Sequence, residues 1–246
     1  MNILLTNDDG IDSEGIQTPA KIFRERGHKV YVIAPDINRS GISHAVSMLN
    51  GPVKISAYGE DTWACSGYPV DCVIAGIMGA LKPLMPGKPD LVLSGINRGG
   101  NIGTDIIYSG TAAAARQASI TGVPAIALSL EGDEEYYWEM AALWSADHLE
   151  ELISYWEQNI FVNVNIPNSP HGPVGMALTR PAIKDYHDVL SVVDAPDGNR
   201  WCSLKGGQET AGAEPDNDFN TVARNFVSIS RLHCYALALE KKQDKV

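Results

Sequence analysis

The opening 35 residues restrict the fold more than any other part of the chain. A short apolar run, Asn2–Thr6, ends in the polar cluster Asn7-Asp8-Asp9-Gly10. A helical pattern follows, with Ile16, Ala20 and Phe23 at i, i+4 and i+7, and Gly27 stops it. Residues 29–34 form a second apolar run, closed by Pro35. Apolar runs this short and this continuous read as strands buried on both faces. Strand, helix, strand in so few residues has the proportions of a βαβ unit, which demands a parallel sheet.

The alternation continues downstream. Helices are predicted over 69–81, 110–119 and 136–156, the last long and amphipathic, and strands over 90–94, 124–130 and 161–166. Past Pro167 the grammar changes to proline, glycine and short alternating runs at 174–179, 200–204 and 226–230, which predict hairpins. The tail from 232 to 246 is helix-permissive and ends in charge. The expected architecture is one α/β domain over 1–246, with a parallel-sheet core (1–166) and a β-hairpin-rich C-terminal extension (167–246).

Composition removes several function classes. At 44% hydrophobic residues the chain has ample material for a core. With 19 basic and 30 acidic side chains its net charge is −11, unsuited to a nucleic-acid duplex or an anionic membrane surface. No apolar run reaches the ~18–20 residues that span a bilayer, and the opening MNILLTNDDG lacks the form of a signal peptide. Cys65, Cys72, Cys202 and Cys234 form no CxxC pair and read as reduced thiols. A cytoplasmic protein is expected.

In open parallel sheets ligands bind beyond the carboxyl ends of the strands. The polar clusters of this chain stand there: Asn7–Gly10 after the first strand, Asp36–Gly41 after the second, and Ser94–Asn101 after the strand at 90–94. Adjacent carboxylates such as Asp8 and Asp9 raise each other's pKa and need a counter-ion if buried. A hard divalent cation meets that need, and Ser40 and Asn97 offer further oxygens on neighbouring loops. Tyr108-Ser109-Gly110-Thr111, placed before an alanine run, marks a helix N-terminus where N–H groups and the dipole attract an anion. A phosphate bridged between cation and helix start fits both halves. His44 is a weaker candidate, better read as structural than as an acid for the leaving group. Trp138, Met140, Leu143, Trp144, Leu149 and Leu152 read as core or interface. Asp216 and Asp218 read as a solvated turn more readily than as a second metal site.

Taken in order, the strand with NDDG, the NRSG loop, SGIN-x-G-x-N and YSGT resemble the SurE family of survival-protein nucleotidases. The resemblance implies a Rossmann-like three-layer architecture and a metal-dependent phosphomonoesterase acting on nucleoside 5′- and 3′-monophosphates, short polyphosphates included. It implies one divalent ion per subunit, Mg²⁺ or Mn²⁺, on Asp8, Asp9, Ser40 and Asn97. Asn38, Gly41, Asn101, Ser109, Gly110 and Thr111 would hold substrate phosphate, and Asp8 or Asp9 would orient the attacking water. It also implies a homodimer or homotetramer built partly by C-terminal exchange. The chain departs from the family's pattern at Arg98, at Tyr68 within Ser66–Cys72, and over residues 227–232. A receiver-like phospho-signalling module or a nucleotide-binding protein without turnover is the alternative; for a receiver, no acid ends the strand at 90–94. No GxGxxG follows the first strand, which counts against a dinucleotide-binding enzyme.

Overall fold

The computed structural model describes residues 1–85, 87–132 and 135–237. The chain opens with β1 (Asn2–Thr6), α1 (Glu14–Glu25) and β2 (Lys29–Pro35). β1 and β2 pair in parallel from Asn2 opposite Lys29, as the βαβ reading expects. Next come β3 (Ile55–Gly59), β4 (Thr62–Cys65), α2 (Pro69–Met78), β5 (Leu91–Arg98), α3 (Gly110–Ile120), β6 (Ala125–Glu131), α4 (Trp138–Asp147), α5 (Leu149–Ser154) and β7 (Ile160–Pro167). The last part holds β8 (Gly175–Leu178), β9 (Lys184–Asp185), β10 (Val189–Asp194), β11 (Arg200–Lys205), β12 (Thr210–Ala211), α6 (Asp218–Ala223) and β13 (Phe226–His233).

Nine strands form the central sheet, in the order β3-β4-β2-β1-β5-β6-β7-β13-β8. Alternate residues of each strand feed opposite faces. Ile3, Leu5, Val30, Val32, Leu91 and Leu93 pack with α1, α4 and α5, while Leu4, Tyr31, Ile33 and Val92 pack with α2 and α3. The result is an α/β fold in three layers. Strand order runs one way from β1 to β2 and the other way from β1 to β5, so the crevice between β1 and β5 is the topological switch point. No helix among the described residues is long and apolar enough to cross a membrane.

Three expectations need correction. The helix expected over 136–156 is two helices that meet at His148, whose φ of −105° and ψ of 10° leave the helical region while its ring Nδ1 donates to the Trp144 carbonyl at 2.8 Å. The runs at 174–179 and 226–230 are not hairpins. β8 and β13 lie parallel, Phe226 opposite Gly175, and β13 also runs antiparallel to β7 inside the main sheet. Val227, Ser228, Ile229 and Ser230 are all buried there, covered on both faces. Only the run at 200–204 lies in a hairpin, β10–β11. In the tail, Leu232 and His233 finish β13 instead of starting a helix, and 238–246 lie outside the described residues. β3 and β4, which extend the sheet beyond β2, were not anticipated.

Candidate active site

β1 delivers Asn7, Asp8 and Asp9 to the switch point. The Asn7 side chain folds back on its own turn, donating to the Gly10 carbonyl (2.9 Å) and accepting from the Gly10 N–H (3.2 Å). Gly10 sits at φ +103°, a conformation that would strain any other residue. This local lock sends Asp8 toward α3 and Asp9 toward the end of β5.

Asp8 is 3% exposed. Its Oδ1 accepts from the Thr111 hydroxyl and its Oδ2 from the Gly110 N–H at 3.2 Å, so the start of α3 holds the carboxylate. Burial, with Asp9 alongside, pushes the Asp8 carboxyl up to about 6 against the hydrogen bonds from Thr111. Asp9 is also raised by burial, partly offset by the Arg98 N–H, which donates to its Oδ2 at 3.0 Å, and by the Arg98 charge. Two desolvated acids side by side, without a side-chain cation to neutralise them both, are a charge arrangement that a divalent ion fits.

The other two loops are tied to these aspartates through the backbone. Arg39 N–H donates to the Asp8 carbonyl at 2.7 Å, which brings Ser40 alongside. Arg98 N–H on Asp9 does the same for Asn97. A register shift between Ser94 and Asn97 where β5 meets β6 re-aims the end of that strand, as bulges do. The Asn97 Nδ2 donates to the Gly99 carbonyl at 2.8 Å, which turns the amide so that its oxygen is the free end. Asn38 accepts from the Ser40 N–H at 2.8 Å. Arg39 braces the loop from outside, its guanidinium 5.5 Å from the Tyr68 ring centre and bonded to the Ser66 carbonyl. Tyr68, one of the departures from the family pattern, thus supports the Ser40 loop.

Among the described residues no group of three or more His, Cys, Asp or Glu side chains could hold a metal. The oxygens that could close around a cation at Asp8 and Asp9 are therefore neutral ones, Ser40 Oγ and the Asn97 amide, an all-oxygen set suited to Mg²⁺ or Mn²⁺.

The remaining candidates divide. Ser40, Gly41 and Asn38 are exposed at the crevice mouth, with Gly41 at φ +74°. The Ser109 hydroxyl caps α3, accepting from the Ala112 N–H at 2.9 Å with its own proton free to donate. The Asn101 side chain turns inward to Ser129 Oγ (2.8 Å), and its backbone is gripped by Asn163 and Asn165. His44 bonds Gln117 at 3.0 Å, and burial lowers its pKa. Gln117 lies seven residues into α3, on the order of 10 Å along its axis from the helix start. His44 thus anchors its loop to the flank of α3. Asp216 pairs with Arg180, while Asp218 is buried and accepts from the Gly103 and Ala182 N–H groups, so the solvated-turn expectation fails for Asp218. Sequence reasoning missed one feature. Trp138, placed in the core by its spacing, also lines a cleft of about 250 Å³ together with Asp9, Ser13, Glu14, Asn38 and Arg98.

The approach of α3 to Asp8 depends on Gly110. A Cβ there would lie 2.8 Å from Asp8 Cβ, well inside contact distance. Gly110→Ala is therefore expected to displace the carboxylate and lower turnover ~10²-fold, with the fold retained. Phosphate release and a thermal melt on the same sample check this.

A profile described as "Survival protein SurE" matches residues 3–188. The protein named 5′-nucleotidase SurE in Thermosipho melanesiensis is 37% identical over 241 residues, spanning 96% of this chain and 92% of that protein. The 5′/3′-nucleotidase SurE of Escherichia fergusonii is 38% identical over 237 residues, 95% of this chain and 90% of its own length. The crystal structure of the SurE protein from Aquifex aeolicus matches with a TM-score of 0.84 at 33% identity, over 96% of this chain and 95% of that one. The paired aspartates at the switch point, the loops tied to them and these end-to-end similarities agree: this chain belongs to the SurE family.

Proposed function

We propose that this protein is a divalent-metal-dependent phosphomonoesterase of the cytoplasm that hydrolyses nucleoside 5′- and 3′-monophosphates to nucleoside and phosphate. The observation that carries the reading is the tethering of the Ser40 and Asn97 loops to Asp8 and Asp9 by the Arg39 and Arg98 N–H groups. Relatives at 37–38% identity carry nucleotidase names. One ion per subunit, Mg²⁺ or Mn²⁺, would be held by Asp8, Asp9, Ser40 and Asn97. When bound, the ion supplies positive charge that polarises a phosphoryl oxygen and makes water a stronger acid.

The protein's own groups do the rest. Asp8 has hydrogen bonds on both carboxylate oxygens and Asp9 on one, so Asp9 is the freer to orient the attacking water. Gly110 and Thr111 serve the phosphate indirectly, by fixing Asp8. The Ser109 hydroxyl, the Gly41 N–H and the Asn38 amide are left as direct donors to phosphate oxygens, where charge shifts in the transition state. Asn101 holds its loop in place through Ser129 and β7. The subunits form a homodimer or homotetramer.

Phosphate release from a panel of mononucleotides and short polyphosphates, with and without chelator, tests the reading. Turnover should vanish in excess chelator and return with Mg²⁺ or Mn²⁺. Full turnover after stripping of divalent ions would sink it.

A further inference from the structure

The cleft beside Asp9 has a structure of its own. Arg98 forms one wall, and its guanidinium lies 4.9 Å from the centre of the Tyr136 ring. Tyr136 in turn stacks on Trp138, ring centres 5.0 Å apart and planes inclined by 14°. The guanidinium thus lies over a ring that is itself stacked on a second one, while Arg98 stays exposed and borders the cleft. A supported guanidinium is a flat, rigid surface for a second π system. Polar groups at the rim, Ser13 and Glu14, can meet the edge of a ring.

Size and position narrow the occupant. Ligand pockets commonly run to about 300–1,000 Å³, so a cleft of about 250 Å³ takes a single ring system and not a second nucleotide. It shares Asp9 with the aspartate pair, within reach of one molecule whose phosphate lies at Asp8 and Asp9. The Glu14 carboxylate accepts hydrogen bonds only, which suits the N–H groups on the edge of adenine or guanine.

We infer that this cleft is the base subsite and that it selects purine over pyrimidine nucleotides by stacking the base on the Arg98 guanidinium, braced by Tyr136 and Trp138. This rests on the nucleotidase reading for the placement of the phosphate, but not for binding of the base. A purine offers two fused rings to the guanidinium plane where a pyrimidine offers one, so the overlap and the affinity are larger.

Calorimetric titration of the full chain with adenosine and with uridine tests the subsite apart from turnover. Adenosine should bind about tenfold more tightly than uridine, and Arg98→Ala should weaken adenosine about tenfold, the scale of one base–side-chain stack. Arg98→Lys, which keeps charge but loses the plane, should not restore it. Equal adenosine affinity in wild type and Arg98→Ala, or full recovery in Arg98→Lys, overturns the proposal. Turnover supplies the second readout: the ratio of kcat/KM for AMP to that for ribose 5-phosphate should fall about tenfold in Arg98→Ala. Equal kcat/KM for the two substrates in wild type leaves the phosphatase and removes the base subsite. If neither is hydrolysed in the presence of divalent ion, the nucleotidase reading falls, and the adenosine titration alone decides the cleft.

Discussion

Asp8→Asn is expected to cost about 10³ in phosphate release and, in protein stripped of divalent ions, to flatten the dependence of stability on pH. The Asp8 carboxyl is raised from 3.8 to about 6 in the folded protein, chiefly by burial. The folded state therefore holds this proton more tightly than the unfolded chain does. Stability contributed by the protonated group is present below about pH 4 and is lost as pH rises toward 6, after which the loss is constant. Moving a carboxyl from 3.8 to about 6 corresponds to about 3 kcal/mol. Asp9 shifts in the same direction and adds to the slope. Denaturant unfolding at pH 4 and pH 7, wild type against Asp8→Asn, isolates the Asp8 share as a difference. Asparagine leaves one acceptor oxygen where Gly110 and Thr111 engage two, so the variant's absolute stability is the poorer readout and the change with pH is the sound one. Added Mg²⁺ should recover the wild type's loss at pH 7 and leave the variant unmoved. Parallel stability-versus-pH curves for the two proteins would show that Asp8 is not a buried, uncompensated charge.

Deleting the β10–β11 hairpin, residues 189–205, is expected to reduce the protein from an oligomer to a monomer. The hairpin contacts little of its own chain. Val189, Leu190, Val193, Trp201 and Leu204 are each 59–70% exposed, although their side chains are those of a core. An isolated two-stranded ribbon is marginal in water, and burying a large apolar side chain contributes about 1.5–3 kcal/mol. In the proposed oligomer a second copy of this chain would supply the surface that covers it, with symmetric exchange closing the assembly. The base of the arm is built to hold an orientation: Lys184 is almost fully buried between Asp105 and Glu209, and the Tyr186 hydroxyl donates to Asp105 at 2.6 Å. Asp105 lies between Asn101 and Ser109, so the root of the arm is pinned to the loop that leads into α3. Light scattering at micromolar concentration reads the outcome. A monomeric full-length chain, or an unchanged particle mass after deletion, would remove the hairpin as the assembly device.

Much of this fold was open to reading from local pattern. The β1–α1–β2 unit, the strand ends at Asp8 and Asn97, and the helix start at Ser109 all depend on side-chain period and capping chemistry within a few residues. The loops of Ser40 and Asn97 could be placed beside Asp8 and Asp9 because strand ends on one edge of a parallel sheet converge. His148 defeated the helix expected over 136–156, since its backbone leaves the helical region there and apolar spacing does not record that. Asp218 was misjudged because its flanking Pro and Asn suggest exposure, while its partners, Gly103 and Ala182, are remote in the chain.

What the sequence by itself determined is the β1–α1–β2 unit, most later elements of the core, the α/β class and which polar residues stand at the strand ends, because those follow from interactions over one turn of helix or one step of strand. Tertiary structure alone decided which segments meet. Residues 174–179 and 226–230 carry the alternation of hairpin strands, yet they pair with each other in parallel across some 50 residues, since period determines a strand's faces and not its neighbour. Trp138 reads as core at any helical spacing. Only the packing of α4 beside the end of β5 stacks it on Tyr136, lays Arg98 over that ring and opens a cleft next to Asp9. Such contacts join surfaces that the chain brings together after its local structure is set, and no local preference encodes them.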